Sequence, residues 1–525
     1  MKWIIPVESM RQADRYCIEK LRIPGLLLME AAARSVVDRM VECIKQSGCK
    51  TNDWTAQKVL VLCGGGNNGG DGFAIARMLK GLGMTVRVYV AADIDHITGD
   101  AKTNLDMLCA YQISVFSQDQ ASIIEKMIDQ SDWVVDALFG TGLDREIHGL
   151  IAQLIGAVNE AQAAGKLKVV AVDIPSGIEG DNGQIMGCAM RANETVTFCR
   201  LKQGLILFPG CDYAGHVTVA DIGIPDTALP LKDASRFMLE PGDLPQLLPK
   251  RMSRSHKGLY GRLLSVSGSA SMPGAAVLSG RSAYKMGTGL VDIAVPEAAK
   301  TVLQTSLPEA VTTPYQPGEV QWIAEKAGMA TAVLAGPGLG TESYVEAMLD
   351  ELLTKTPARI PMVLDADALN MAARRPSLAK KIAQRGHTIV TPHMGEAARL
   401  LGVPVRKVME RPIEAAKEIA AAYQSVVVLK DAMTLVCEPG GLLFFNSTGN
   451  NGMSTAGSGD VLAGMIAGLC AEGMEVFPAA YTGVYLHGAA GDLAKEEKGL
   501  YGMVASDIVN HIHLEKIQER IAKPL

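Results

Sequence analysis

No two of the ten cysteines form a CxxC pair; they lie singly from Cys17 to Cys470. That scatter excludes a disulfide framework and a zinc knuckle, and leaves buried, reduced thiols as the expected state. Nowhere do about 18 apolar residues run uninterrupted, the rough minimum for a membrane-spanning helix. The opening stretch MKWIIPVESMRQADR turns charged before any apolar signal core develops. A soluble cytoplasmic chain with no membrane partner is therefore expected. Long runs of one charge sign are also missing, and the formal net charge is −6. Without a basic stripe to meet phosphate backbones, nucleic acid is not an expected partner. There is no short-period repeat and no low-complexity tract.

What is present is an alternation. Hydrophobic residues make up 48% and charged residues 20% of 525 positions, enough for about two to four domains with cores of their own. Short apolar runs occur at Lys58–Cys63, Thr85–Val90, Trp133–Ala137 and Lys168–Asp173, each ending near glycine or a polar turn. Apolar at nearly every position, they predict strands of a mostly parallel sheet covered on both faces, with helices such as Phe73–Leu82 between them. This is the pattern of a doubly wound α/β fold. Five prolines (Pro225, Pro230, Pro241, Pro245 and Pro249) then interrupt it, placing a seam near residue 230. The expected domains are residues 1–228 and 229–525. A second alternation follows, with strands at Leu263–Val266, Leu290–Val295, Ala332–Ala335, Met362–Asp365, His387–Thr391 and Ser425–Lys430. The run MTLVCEP, Gly440-Gly441, LLFFNS predicts an appended β-hairpin.

Gly64–Phe73, GGGNNGGDGF, sits between a strand and a helix. Glycine lets the backbone approach an anion, and the following helix offers unpaired N–H groups. Gly64, Gly66 and Gly69 satisfy GxGxxG, with Asp93 and Asp95 ending the next strand. A dehydrogenase turn or a plain tight turn would read the same. A Walker loop is excluded, since no Lys-Ser/Thr follows. Strand ends at Asp136, running into Gly140–Glu146, and at Asp173, running into Ser176, should converge with this loop on one crevice. Asp173 is placed for acid/base work, whereas Asp136 has the alternative of capping the next loop.

The segments LLLMEAAARSV (Leu26–Val36), GNNGGDGF, DALFGTGL and VDIPSG together resemble the N-terminal domain of the NAD(P)H-hydrate epimerases, over roughly residues 1–225. The resemblance implies that Asn67, Asn68, Gly69, Gly70 and Asp71, with Gly140, Thr141, Gly142, Leu143, Asp144, Arg145 and Glu146, hold the hydrated nucleotide. It implies a potassium ion on Asn68, Asp136 and Ser176, and substrate contact by Asp173. An amide carbonyl, a carboxylate and a hydroxyl are hard oxygen donors suited to such a cation.

In the second half, Asn446–Gly464 reads NSTGNNGMSTAGSGDVLAG and leads into an apolar helix, Val461–Cys470. Gly457, Ser458 and Gly459 supply a turn whose N–H groups suit phosphoryl oxygens. Asp460, in the first turn of the helix, is placed to take a proton from a hydroxyl attacking a phosphoryl group. Its bland alternative is a helix cap.

Together with HKGLYG (His256–Gly261), GPGLG (Gly336–Gly340), LDADALN (Leu364–Asn370), TPHMGEAARLLG (Thr391–Gly402) and LKDAMTLV (Leu429–Val436), this resembles the ribokinase-like fold. Within that fold it resembles the NAD(P)H-hydrate dehydratases, over residues 235–525. The resemblance implies that Ala275, Gly338, His393 and Asp460 contact the hydrated nucleotide. Lys430, Asp431, Ala432, Met433, Thr434 and Gly459 would hold the AMP part of the donor. Members of this family spend ADP or ATP, with Mg²⁺; fused two-domain members typically use ADP, which is the donor expected here. KDAMT stands where the pattern usually has Lys-Gly, and GSGD where GTGD is commoner. Asp365 and Asp367 either assist Mg²⁺ through water or are simply polar strand ends, and a lone His393 has a structural alternative.

The expected function is repair of hydrated NADH and NADPH (NADHX and NADPHX) by a two-domain α/β enzyme, working as a homo-oligomer. A vitamin or sugar kinase would share the Asp460 turn but not NNGGD with VDIPSG. A non-catalytic scaffold would not need Asp136, Asp173 and Ser176.

Overall fold

Where every position of a short run is apolar, a strand buried on both faces forms. The computed structural model describes residues 1–47, 54–117, 123–229, 235–514 and 516–517. They divide into two compact units, Trp3–Ala234 and Met1–Lys2 with Ser235–Leu525. The seam expected near Pro230 lies outside the described residues. The nine described cysteines are free thiols, most of them buried. Among the described residues no helix is long and apolar enough to cross a membrane.

In the first unit the strands lie in the order Ser114–Phe116, Thr85–Val90, Lys58–Cys63, Trp133–Ala137, Lys168–Val172, Glu194–Phe198 and His216–Ala220, all parallel. Successive strands move outward first on one side of Lys58–Cys63 and then on the other. The switch point is therefore between Lys58–Cys63 and Trp133–Ala137, where a crevice opens at the carboxyl ends. Two apolar layers cover the sheet. One is built by the helices Gly25–Gln46, Asn67–Gly81 and Gly99–Ala110, the other by Ile124–Asp129 and Gly149–Ala163.

The glycine segment is less of a loop than expected. Its helix begins at Asn67 behind a Gly66 cap, so NNGGD forms the first turns, six residues earlier than Phe73. Close backbone approach is the reason: a Cβ on Gly69 would stand 1.9 Å from the Gly64 carbonyl oxygen, and one on Gly64 would stand 2.0 Å from that of Leu138.

In the second unit the parallel strands run, edge inward, through Leu290–Pro296, Arg262–Val266, Ala332–Ala335, Met362–Leu364, Thr388–Val390 and Val426–Leu429, with Val311–Tyr315 outside the first. The expected hairpin is present as Leu435–Cys437 and Leu443–Phe445, antiparallel to each other, with Leu435–Cys437 also antiparallel to Val426–Leu429. Arg236–Met238 extends the sheet past it in parallel.

The helix carrying Asp460 spans Ser458–Ala471, and everything from Val461 to Ala471 is buried. It presses on the helix Pro273–Met286, where a Cβ on Gly464 would lie 2.2 Å from Ser279 O and from Ser282 Oγ. The substitution Gly464→Ala is accordingly expected to destabilise the chain by about 2 kcal/mol through overpacking, seen as a lower urea midpoint.

Candidate active sites

At the crevice of the first unit a cavity of about 770 Å³ opens, within the range usual for ligand pockets. Asn67, Asn68, Asp71, Gly140, Thr141, Gly142, Leu143 and Asp173 line it. Gly69 and Gly70 serve instead as packing positions, against Gly64 and Met29 respectively. Asp144, Arg145 and Glu146 are exposed and are not part of the lining. The helix Val7–Glu19, unmarked by any motif, adds Arg11, Asp14 and Arg15 to the wall.

Asp136 and Ser176 sit behind the wall rather than in it. Both are wholly buried. Ser176 donates to Asp136 from its hydroxyl at 2.5 Å and from its backbone N–H at 2.8 Å, while Phe139 N–H donates to Ser176 Oγ at 2.9 Å. Leu138 N–H also reaches Asp136, so this carboxylate does cap its loop as well. Burial pushes the Asp136 carboxyl up to about 6, against the opposing effect of these bonds. Asn68 approaches the same turn: a Cβ on Gly140 would lie 3.1 Å from Asn68 Oδ1, and Asn68 Nδ2 is buried without a partner. Among the described residues no cationic side chain pairs with this carboxylate, and the Ser176 hydroxyl on it and the Asn68 amide by the same turn are hard oxygen donors that suit a desolvated monovalent cation.

Asp173 adopts a left-handed backbone, φ 67°, a conformation that costs energy in any residue but glycine. Its carboxylate accepts from Lys202 Nζ at 2.5 Å, Thr197 Oγ1 at 3.2 Å and Phe198 N–H at 3.3 Å. Lys202 gave no signal in the sequence, because a single lysine after a strand is ordinarily a solvated charge. Asp71 is buried, and its carboxyl is held well above the usual range by burial, then by Asp173 and Asp14.

In the second unit the strand ends gather charge. Lys430 Nζ donates to Asp365 at 2.7 Å, and Thr391 Oγ1 donates to the same carboxylate at 2.7 Å. Burial works against the Lys430 charge, but Asp365, Glu396 and Asp460 outweigh it and raise the group. Its ammonium also stands 3.4 Å from where a Cβ on Gly459 would be. Lys430 is thus committed to neutralising carboxylates; of the segment expected to hold AMP, Asp431 and Ala432 are exposed and Met433 and Thr434 half-buried.

Asp460 does not cap its helix. The cap is Gly457, in a left-handed conformation at φ 88°, and no side chain bonds the first turn. Burial pushes the Asp460 carboxyl up to about 7; Asp365 and Asp367 add to this and Lys430 opposes it. Behind the turn, His487 lies 3.4 Å from Ser458 Oγ, and burial lowers it to about 4.

His393 does have a structural task, as an acceptor. Its Nδ1 receives the Gly395 N–H at 2.9 Å, while Glu396 receives the His393 N–H at 2.8 Å, closing a reciprocal cap on the helix Met394–Leu401. Its side chain is 54% exposed, with Nε2 3.5 Å from Glu396 Oε1. Ala275 and Gly338 are brought together: a Cβ on Gly338 would lie 2.8 Å from that of Ala275. Asp367 is held by Gly340 N–H at 2.8 Å. Among the described residues no group of three or more His, Cys, Asp or Glu side chains is arranged around a metal position.

Both halves of the chain are similar to known proteins. A family model described as NAD(P)H-hydrate dehydratase matches residues 263–514, and one described as YjeF-related protein N-terminus matches residues 25–204. The bifunctional NAD(P)H-hydrate repair enzyme Nnr of Moorella thermoacetica is 37% identical, over 99% of this chain and 98% of that protein. The protein of that name from Thermofilum pendens is 36% identical, over 96% and 94%. Among solved structures, the ADP/ATP-dependent NAD(P)H-hydrate dehydratase of Bacillus subtilis, co-crystallised with ATP/Mg²⁺, is 33% identical. It covers 54% of this chain and 97% of that one, with a TM-score of 0.45. The chain belongs to the family of bifunctional NAD(P)H-hydrate repair enzymes.

Proposed function

We propose that residues 1–228 interconvert the R and S hydrates of NADH and NADPH, and that residues 229–525 dehydrate the S hydrate at the expense of ADP, releasing AMP and phosphate. The observation that carries the reading is Asp460: an uncapped carboxyl at the amide end of a helix, raised to about 7 and set beside the Lys430–Asp365 pair. As the hydrate hydroxyl attacks the β-phosphoryl of ADP, Asp460 takes its proton, the new O–P bond forms and AMP leaves. Phosphate is then expelled with the C–O electron pair as the ring nitrogen forms an iminium. Loss of a proton from the adjacent ring carbon restores the dihydronicotinamide. Hydroxide is a poor leaving group and phosphate a good one, which is why a phosphoryl donor is spent.

Ala275, Gly338 and His393 would seat the hydrated ring, and Asp431–Thr434 with Gly459 the AMP. A magnesium ion carried on the ADP phosphates would neutralise transferred charge, held through water by Asp365 and Asp367. In the first unit Asn68, Asp136 and Ser176 would hold potassium, which supplies the positive charge that Asp136 otherwise lacks. Exchange of R and S forms is therefore expected to fall at least roughly tenfold when tetramethylammonium replaces potassium, followed by chromatography of both epimers. Exchange indifferent to that swap would remove the cation site.

The whole reading is tested by incubating the purified chain with mixed R and S hydrates, with ADP and separately with ATP. Consumption of both epimers with ADP is expected. Unconsumed S hydrate with either donor would overturn the dehydratase assignment.

A further inference from the structure

Asp173, placed for acid/base work at its strand end, does not stand alone. The Lys202 side chain is 3% exposed, and its Nζ spends three donors on Asp173 Oδ1 at 2.5 Å, Thr197 Oγ1 at 2.9 Å and Phe198 O at 2.8 Å. A buried ammonium with all its protons used is fixed in place, and it fixes what it touches. Asp173 in turn meets the same Thr197 and the Phe198 N–H, so its Oδ1 is locked by three donors at the cavity wall.

On the other side of the switch point, Asp71 lines the same cavity from the helix Asn67–Gly81 and has no counter-ion among the described residues. The groups that act on it are carboxylates, Asp173 and Asp14, which with burial favour its neutral form; Cys63 on the strand beneath is a buried thiol. One carboxyl is thus paired with a cation and its neighbour is not. A carboxylate held by a cation and a carboxyl without one are suited to opposite halves of a proton exchange.

We propose that Lys202 is a positioning residue for R/S exchange, holding Asp173 as an aimed carboxylate that accepts a proton while unpaired Asp71 donates one. The proposal rests on reading this cavity as the epimerisation site. Asp71 gives its proton to the hydroxyl oxygen, the C–O bond breaks with its electron pair on departing water, and the ring nitrogen lone pair makes the iminium. Water then adds to the opposite face; the iminium pair returns to nitrogen and the surplus proton of that water passes to Asp173. Transfer of one proton from Asp173 to Asp71 through cavity water resets the site. Nothing is oxidised or consumed.

The test uses the full chain: circular dichroism and thermal unfolding report whether the first unit of each variant is folded, and ADP-driven dehydration of S hydrate is the control for the second unit. Lys202→Met is expected to lower kcat for exchange roughly 100-fold with KM changed less than threefold. Lys202→Arg, which restores the charge, should regain at least a third of the rate. Asp71→Asn should lose a factor similar to that of Lys202→Met.

Exchange by Lys202→Met within threefold of the parent chain, or equal losses in the Met and Arg variants, would reduce Lys202 to a packing role and overturn the proposal. Exchange within threefold of the parent in Asp71→Asn would remove the donor. Absence of exchange in the parent chain itself would overturn the underlying reading, which separates that failure from the others.

Discussion

Asp460→Asn is expected to lower ADP-driven recovery of dihydronicotinamide absorbance from S hydrate by roughly 1000-fold, the scale of losing a general base, with R/S exchange unchanged. The amide keeps the size of the side chain and leaves the Gly457 cap and the N–H groups of the first turn where they are. What disappears is the capacity to take the hydroxyl proton.

The parent chain should show the corresponding pH dependence. The working form is the ionised one, and the group is raised to about 7 by burial and Asp365. Dehydration should therefore be flat above that value and fall by about tenfold per pH unit below it. Dehydration by the Asn variant within threefold of the parent would take Asp460 out of the chemistry.

Lys430→Met should be nearly as damaging, by another route. Removing the cation leaves Asp365 buried without its partner and Glu396 and Asp460 without the charge that opposes their protonation. Breaking a buried pair from one side typically costs about 3 kcal/mol, which thermal or urea unfolding of the full chain would read. The kinetic sign follows from the same arrangement. Lys430 lowers Asp460, so without it the carboxyl stays protonated to higher pH, and the acidic limb of dehydration moves above about 7. A variant with unaltered stability and an unmoved limb would show that Lys430 is not the neutralising group. If instead only the affinity for ADP fell, Lys430 would return to the AMP-contact role expected from its place in KDAMT.

Legibility in the sequence tracked how local each decision was. Strands such as Val426–Leu429 and Ala332–Ala335 are apolar at every position because they are covered on both faces, and such runs announce themselves. Glu194–Phe198 and His216–Ala220 went unmarked because their threonines, glutamate and histidine mimic a loop, and pairing at the sheet margin settles their state. In the cavity, NNGGD and VDIPSG were visible as motifs, whereas Arg11, Asp14 and Lys202 reach the wall from unpatterned segments. Asp173 and Lys202 are 29 positions apart, and no spacing rule links them.

The sequence alone determined two alternating α/β halves, the glycine turns at two strand–helix junctions and the family to which they belong, because periodicity and tight-turn chemistry act over a few neighbouring residues. Only the tertiary structure decided charge. It set Lys430 among carboxylates, paired Asp173 with Lys202, left Asp71 unpaired and sealed Asp136 from solvent, because desolvation and Coulomb attraction depend on what stands nearby in space, whatever the separation along the chain.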